Sequence, residues 1–246
     1  MPPESPGRRF KDAIYEQFAR VGKALASPHR IELVELLSQG PRTVEALARM
    51  TDMSLANASQ HLQVLRGAGL LEATKAGLFV TYRLADPSVS DLLLALRRVA
   101  ETRLAEVAKI THDFLAENAL LEPVDEDALR RKVREGEVTL LDVRPPEEYE
   151  VGHIPGALSV PLPELAKRLS DLPTRREVVA YCRGPYCVLA IEAVKLLRAR
   201  GFRAARLEEG VLDWAARGLE VEARPAGRPA PGRSRTSAGT RLRRAE

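Results

Sequence analysis

Apolar positions in the first third of the chain recur every three to four residues and then switch to alternation. Phe10, Ile14, Phe18 and Val21 mark a helix over residues 8–26. Ser27-Pro28 sets a capping residue before proline at the first helical position, which predicts a second helix to about Ser38, closed by Gly40-Pro41. Thr43 and Ser54 stand as caps before helices over residues 43–50 and 54–66, with the three-residue turn Thr51-Asp52-Met53 between them. Gly67 and Gly69 close the last of these. Residues 70–75 and 78–84 then read as two strands around a tight hairpin at Ala76-Gly77.

Two short helices, a tight turn and a hairpin form the pattern of a winged helix-turn-helix. Residues 87–118 follow as one long amphipathic helix, with Val89, Leu93, Leu96, Ala100, Leu104, Val107, Ile110 and Phe114 spaced by threes and fours. This stripe suits packing on a second copy, to which the first helix adds apolar surface; packing on its own domain would use the same residues. Glu122-Pro123 marks a boundary. Beyond it strands (138–142, 157–160, 177–181, 204–207) alternate with helices (125–134, 146–151, 163–169, 187–200, 211–217), the pattern of a parallel α/β sheet. The expected fold class is multidomain, α+β followed by α/β: residues 8–120 for DNA binding and dimerisation, 123–222 for the α/β domain, and an Arg/Pro-rich tail, 223–246, with almost nothing to bury and expected to be disordered.

Charge divides along the same lines. The tail holds seven arginines against Glu246, a balance of +6; the whole chain carries +4, which leaves −2 for residues 1–222. Residues 1–110 carry +3 and residues 111–222 carry −5, so positive charge gathers in the parts expected to meet a polyanion. The tail either adds non-specific DNA affinity or is a solvated appendage. No apolar run approaches the ~20 residues of a membrane span, and the N-terminus lacks a secretory signal, so a cytoplasmic protein with no membrane partner is expected. Two cysteines in a reducing compartment point to reactivity rather than to a structural staple.

Within the expected recognition helix, Ala58, Leu62 and Leu65 fall on one face as anchors, while Ser54, Asn57, Gln60 and His61 lie on or beside the outer face. Short polar groups in that half of the helix can reach base edges, and Asn or Gln can pair with adenine. Lys75 and Arg83 on the wing are expected phosphate contacts. The alternative is a helix-turn-helix used for protein contacts, with His61 merely a surface or half-buried histidine. Both cysteines lie together, in Cys182-Arg183-Gly184-Pro185-Tyr186-Cys187, between an apolar strand and a helix. Backbone N–H groups of such a loop and the helix dipole behind it favour a thiolate at Cys182, and the same cradle suits an anionic persulfide. Arg183 adds positive charge and Gly184 permits the curl. Phosphatases built on this layout carry Cys-x5-Arg, but Val188 occupies that arginine's place, which argues against phosphate chemistry. Cys187 is either a small apolar residue at the helix start or a thiol that resolves a Cys182 persulfide or sulfenate.

Residues 20–84, from Ala24-Leu25-Ala26-Ser27-Pro28-His29-Arg30 through His61-Leu62-Gln63-Val64-Leu65-Arg66-Gly67-Ala68-Gly69-Leu70 to Tyr82-Arg83-Leu84, resemble the ArsR-type repressors. The resemblance implies a dimer on operator DNA. Many such repressors sense metals or reactive sulfur, but this chain has no cysteine before 182 and only His112 in the long helix, so no metal site and no cofactor are expected. The run Leu140-Leu141-Asp142-Val143-Arg144-Pro145-Pro146-Glu147-Glu148-Tyr149, continued by His153-Ile154-Pro155-Gly156-Ala157, resembles the N-terminal signature of rhodanese sulfurtransferases. Glu209-Gly210 with Trp214 and Gly218-Leu219 is similar to their C-terminal one. That resemblance, over residues 123–222, implies Cys182 as the persulfide-forming nucleophile. Asp142 and Arg144 are read as a pair supporting the loop, and His153 as part of a turn. Pro185, Tyr186 and Cys187 replace the polar or Arg residues commonest in that loop, which weakens the case for thiosulfate as donor.

Together these readings predict a dimeric DNA-binding regulator whose rhodanese domain forms a persulfide on Cys182 and senses sulfane sulfur or thiol redox state, with a sulfane-sulfur donor and a thiol acceptor as partners. The alternative is a sulfurtransferase enzyme whose winged helix only dimerises or localises it; a third reading has the rhodanese domain recruiting a partner.

Overall fold

The computed structural model describes residues 5–118, 126–173 and 176–223. Helix α1 (Pro6–Leu25) and α2 (Pro28–Ser38) lead into a two-residue strand, β1 (Arg42–Thr43). Helices α3 (Val44–Met50) and α4 (Leu55–Gly67) follow, then the wing strands β2 (Leu71–Ala76) and β3 (Phe79–Leu84). The caps act locally: Thr43 Oγ1 accepts the Ala46 N–H at 3.3 Å and Ser54 Oγ accepts that of Asn57 at 3.3 Å. Ser27 departs from expectation. Its hydroxyl makes no capping bond, and its backbone carbonyl takes the Arg30 and Ile31 N–H groups instead, both at 3.1 Å. The wing is a three-stranded antiparallel sheet in the order β1-β3-β2, in which Arg42 pairs with Tyr82 and Thr43 with Thr81. Leu33, Leu47, Leu62 and Leu65 are fully buried in the core between these helices and the sheet.

The long helix expected over residues 87–118 is two helices, α5 (Ser88–Arg103) and α6 (Ala105–Glu117). Leu104 between them is extended, with φ −111° and ψ 105°. Thr102 Oγ1 folds back onto the carbonyls of Arg98 (2.8 Å) and Val99 (3.2 Å), a contact that competes with the helical ladder just before the break. The apolar spacing runs on across the break, so the sequence pattern conceals it. Leu92, Leu96, Val99, Leu104, Ile110 and Phe114 all remain exposed on this pair, as do Phe10, Ile14 and Phe18 on α1.

The second unit begins with α7 (Glu126–Arg134) and strand β4 (Thr139–Asp142). It continues with α8 (Pro146–Val151), β5 (Leu158–Ser159), α9 (Leu162–Leu165), a 3-10 turn (Leu169–Asp171), β6 (Val178–Tyr181), α10 (Val188–Ala199), β7 (Ala204–Arg206) and α11 (Val211–Ala216). The helix expected over 163–169 is thus a single α turn followed by the 3-10 turn. The four strands are parallel in the order β5-β4-β6-β7. One apolar cluster lies under α10 and includes Leu141, Ala180 and Val194; the other lies under α7 and α11 and includes Leu140, Val179 and Trp214. Both faces of the sheet are buried, as parallel sheets require, and β4 and β6 are buried at every position. The expected tail lies outside the described residues from 224 onward.

Tyr181 ends β6 with its ring fully buried. Its phenol donates to Asp142 Oδ2 at 2.6 Å and accepts the Ile154 N–H at 3.1 Å. Tyr181→Phe strands that N–H, and the expected outcome is a loss of about 1–3 kcal/mol of unfolding free energy, read from urea melts. An unchanged midpoint would show that another group takes over the phenol's bonds.

Candidate functional site

The β6 strand delivers Cys182 to the C-terminal edge of the parallel sheet, the position where open α/β sheets place their chemistry. Residues 182–187 curl back on themselves through the Cys187 N–H to Gly184 carbonyl bond of 3.2 Å, and Cys187 occupies the N-cap position of α10. The Cys182 thiol is buried, 2% exposed, and donates to the Cys187 carbonyl at 3.2 Å; Cys187 is half-buried. Both thiols are free. Backbone N–H groups near each sulfur, those of Ala190 and Gly184 for Cys182 and of Arg183 and Leu189 for Cys187, favour its charged form.

Charge within this pair falls differently from the sequence expectation. Burial, and after it the neighbouring Cys187, pushes the Cys182 thiol well above its ordinary range. The hydrogen bond from Cys182, the two backbone N–H groups and the Arg183 charge bring Cys187 down to about 6. The loop cradle does favour a thiolate, but the two sulfurs are pushed in opposite directions, Cys182 up and Cys187 down.

Arg183 is held by Glu148 of α8, whose side chain is fully buried: Nη2 lies 2.8 Å from Oε1 and Nε 3.0 Å from Oε2. Burial works against the charged guanidinium, yet the Glu148 carboxylate, followed by the two sulfurs, raises its pKa. The remaining loop residues are fixed from several directions. The Pro185 carbonyl accepts from Arg206 Nη1 at 3.0 Å, and the Tyr186 hydroxyl donates to Glu101 Oε1 on α5 at 2.8 Å. Gly210 backs the loop so closely that a Cβ there would lie 2.1 Å from the Arg183 carbonyl oxygen. Gly184 sits where a Cβ would be 3.3 Å from both Arg97 Nη1 and Asp213 Oδ2. Asp213 accepts the Gly210 N–H at 3.0 Å and is ion-paired with Arg97 of α5. Pro185 and Tyr186 also form part of the wall of a cavity of about 820 Å³ between the loop and helices α5 and α6.

Beneath the loop lies the Asp142–Arg144 pair, where both side chains are buried. Arg144 Nη2 reaches Asp142 Oδ2 at 2.6 Å and the Gly152 carbonyl at 2.7 Å, and Nη1 donates to Gln39 Oε1 at 2.8 Å. Gln39 lies at the end of α2, so this support joins the two units. Arg42 of β1 does the same, with its Nη2 2.9 Å from Glu148 Oε1. Glu35 of α2 faces Arg183 and Arg97, and burial raises its pKa. His153 is clamped away from the sulfurs: its Nδ1 meets the Tyr149 carbonyl at 2.8 Å and its ring stacks on Tyr149 at 3.7 Å.

Of the residues considered for DNA, Ser54, Asn57, Gln60 and Lys75 are exposed. His61 is half-buried with its ring 5.5 Å from that of His29; burial, followed by Arg30 and His29, lowers its pKa. Arg83 is exposed but ion-paired with Glu72 across the wing. Among the described residues no group of three or more His, Cys, Asp or Glu could hold a metal ion, and no helix is long and apolar enough to cross a membrane. Sequence reasoning missed Gln39, Arg42, Arg97, Glu101 and Asp213. Their contacts join residues on different units, and no local spacing signals such a meeting.

Residues 125–217 match the Rhodanese-like domain family and residues 25–73 a Helix-turn-helix domain family. The chain is 46% identical over 212 residues to the HTH-type transcriptional regulator Rv0324 of Mycobacterium tuberculosis, spanning 86% of this chain and 93% of that one. It is 33% identical over 106 residues to a protein of Allochromatium vinosum called a sulfurtransferase, covering 42% of this chain and 97% of that one. Among solved structures, a homodimeric winged helix-turn-helix DNA-binding domain from Mycobacterium bovis, a possible ArsR-family regulator, is 42% identical, covers 42% of this chain and 94% of that one, and gives a TM-score of 0.38. The chain belongs to the HTH-type transcriptional regulators, with a C-terminal rhodanese-like domain.

Proposed function

We propose that this regulator binds operator DNA as a homodimer through residues 8–120 and responds to sulfane sulfur through the cysteine loop of residues 123–222. Two free thiols held in one curled loop, Cys182 with its sulfur 3.2 Å from the Cys187 carbonyl and Cys187 at the N-cap of α10, carry this reading. The apolar faces left exposed on α1, α5 and α6 support the dimer. Asn57 and Gln60 are the base-edge readers, Ser54 and His61 flank them, and Lys75 and Arg83 meet phosphates. Arg83 must first leave Glu72, which lowers its share of the binding energy.

The chemistry uses both sulfurs. Transfer of the Cys182 proton to the Cys187 thiolate leaves the charge on Cys182. That thiolate attacks the outer sulfur of a persulfide R–S–SH; the donor's S–S bond breaks, RS⁻ leaves, and Cys182 carries S–SH. Cys187, once ionised again, attacks the Cys182 Sγ; HS⁻ departs and a Cys182–Cys187 disulfide closes. The sulfane sulfur is reduced, the two thiols are oxidised, and no further oxidant is required. An acceptor thiol reopens the disulfide by exchange in the reducing cytoplasm. Asp142 and Arg144 hold the loop's base, while Arg183 and Gly184 shape its mouth. Pro185 and Tyr186 face the cavity through which a donor approaches.

Two measurements test this. Inorganic polysulfide should change the affinity of the wild-type dimer for an operator duplex by about tenfold or more, while Cys182→Ser should not respond; equal responses in the two proteins would defeat the sensor reading. If instead the wild type turns over persulfide catalytically with no change in DNA affinity, the sulfurtransferase reading, favoured by the likeness to the Allochromatium protein, replaces it. Alkylation of Cys187 by iodoacetamide should rise with pH through a midpoint near about 6, because its thiolate fraction grows as pH passes the lowered pKa. In Cys182→Ala, which lacks the thiol that donates to Cys187, the midpoint should move upward; an unmoved midpoint would show that the two sulfurs do not share a proton.

A further inference from the structure

Arg42 is a buried guanidinium with too few partners. It is 7% exposed, and its Nη1 finds only the Pro41 carbonyl, at 3.4 Å. Its Nη2 lies 2.9 Å from Glu148 Oε1 but out of line for a hydrogen bond, so among the described residues Nε and Nη2 both lack a hydrogen-bond partner. Buried guanidinium N–H groups are normally satisfied, and leaving them idle is costly. The reason lies across the boundary between the units. Both Glu148 oxygens are already engaged by Arg183, through three contacts of 2.8–3.2 Å. One buried carboxylate therefore serves two arginines and fully satisfies only the one on the cysteine loop.

We infer that Glu148 relays the state of the cysteine loop to the DNA-binding unit by being passed from Arg183 to Arg42. The inference rests on the sulfur-sensing reading above and names its route. Sulfuration moves negative charge from Cys187 onto an anionic persulfide on Cys182, before the disulfide closes, beside Arg183, whose guanidinium already feels both sulfurs. Arg183 turns toward the loop, its hold on Glu148 loosens, and the idle N–H groups of Arg42 take the freed oxygens. Arg42 is well placed to pass the change on. Its backbone pairs with Tyr82 in the wing, and the next residue, Thr43, caps α3 with its hydroxyl while pairing with Thr81. A shift of β1 thus reaches both the wing and the first helix of the helix-turn-helix. No DNA-facing residue has to touch the sulfur.

The test uses the full chain, as wild type, Arg42→Gln and Arg42→Lys, with sodium tetrasulfide as the sulfur probe. The operator duplex is one selected from a random library by the reduced wild-type protein. Intact mass reports sulfur uptake, as a gain of ~32 Da for the Cys182 persulfide or a loss of ~2 Da for the disulfide that follows it; fluorescence anisotropy reports DNA affinity, and backbone hydrogen exchange reports on peptides covering residues 42–50 and 79–84. In the wild type, uptake should alter both the affinity, about tenfold, and exchange in those peptides. Arg42→Gln should take up sulfur to the same extent and bind the reduced-state duplex within about threefold of wild type. Its sulfur-dependent change should shrink below about twofold, with exchange at 42–50 unmoved. Arg42→Lys, which keeps the charge without the fork, covers the case in which the glutamine variant loses its cooperative melt, and should show the same weakened response. A full response in the folded variants, or wild-type uptake with no change at 42–50, overturns the relay alone. Absence of uptake in the wild type overturns the sensing reading and the relay with it.

Discussion

A parallel sheet buries the ends of its strands, and here one of those ends carries charge that water cannot reach. Asp142 is fully buried at the end of β4 and survives there because Arg144, two residues on, folds back to meet both of its oxygens. That guanidinium has further N–H groups to satisfy, and it finds the Gly152 carbonyl on its own unit and Gln39 on the other. A buried ion pair gains little net stability, but removing one partner is severe, since a lone buried charge costs several kcal/mol. The arrangement fixes geometry more than it adds stability. The strand end that carries Tyr181 is tied to the same carboxylate, and the cysteine loop starts at the next residue.

Much of this was legible in the chain. Strand–helix alternation, the cysteine loop between an apolar strand and a helix, and the caps at Thr43 and Ser54 are local patterns, and local physics realises them. Three features were not. Strand β1 has only two residues, too few for alternation to register, and it exists because the wing strand β3 supplies its partners. The break at Leu104 is hidden because the apolar spacing is the same on both sides. The contacts around Arg42, Arg97 and Gln39 couple residues far apart in sequence, 105 positions in the case of Gln39 and Arg144. Their signal exists only once the two units meet.

The cysteine pair shows why residue type alone misjudges reactivity. A helix start and a curl of N–H groups lower a thiol's pKa, but burial works in the opposite direction, and the two sulfurs divide these influences between them. Burial raises the pKa of the deeper one, and the Arg183 charge helps to lower that of the shallower one. Two identical side chains five positions apart therefore start with opposite protonation preferences, and only a proton transfer makes the family nucleophile ready.

Helix α5 is used on nearly every side. Val89 and Leu93 face its own core, and Leu94, Arg97 and Glu101 face the cysteine loop and its cavity. Leu92, Leu96 and Val99 form an exposed apolar edge suited to a second copy. At 3.6 residues per turn these faces leave one narrow strip, Asp91, Ala95 and Thr102, clear of all three. Sequence drift in relatives of this chain therefore has a single lane along the helix. A change elsewhere on it alters core packing, the thiol environment or the pairing of copies, so those properties must evolve together.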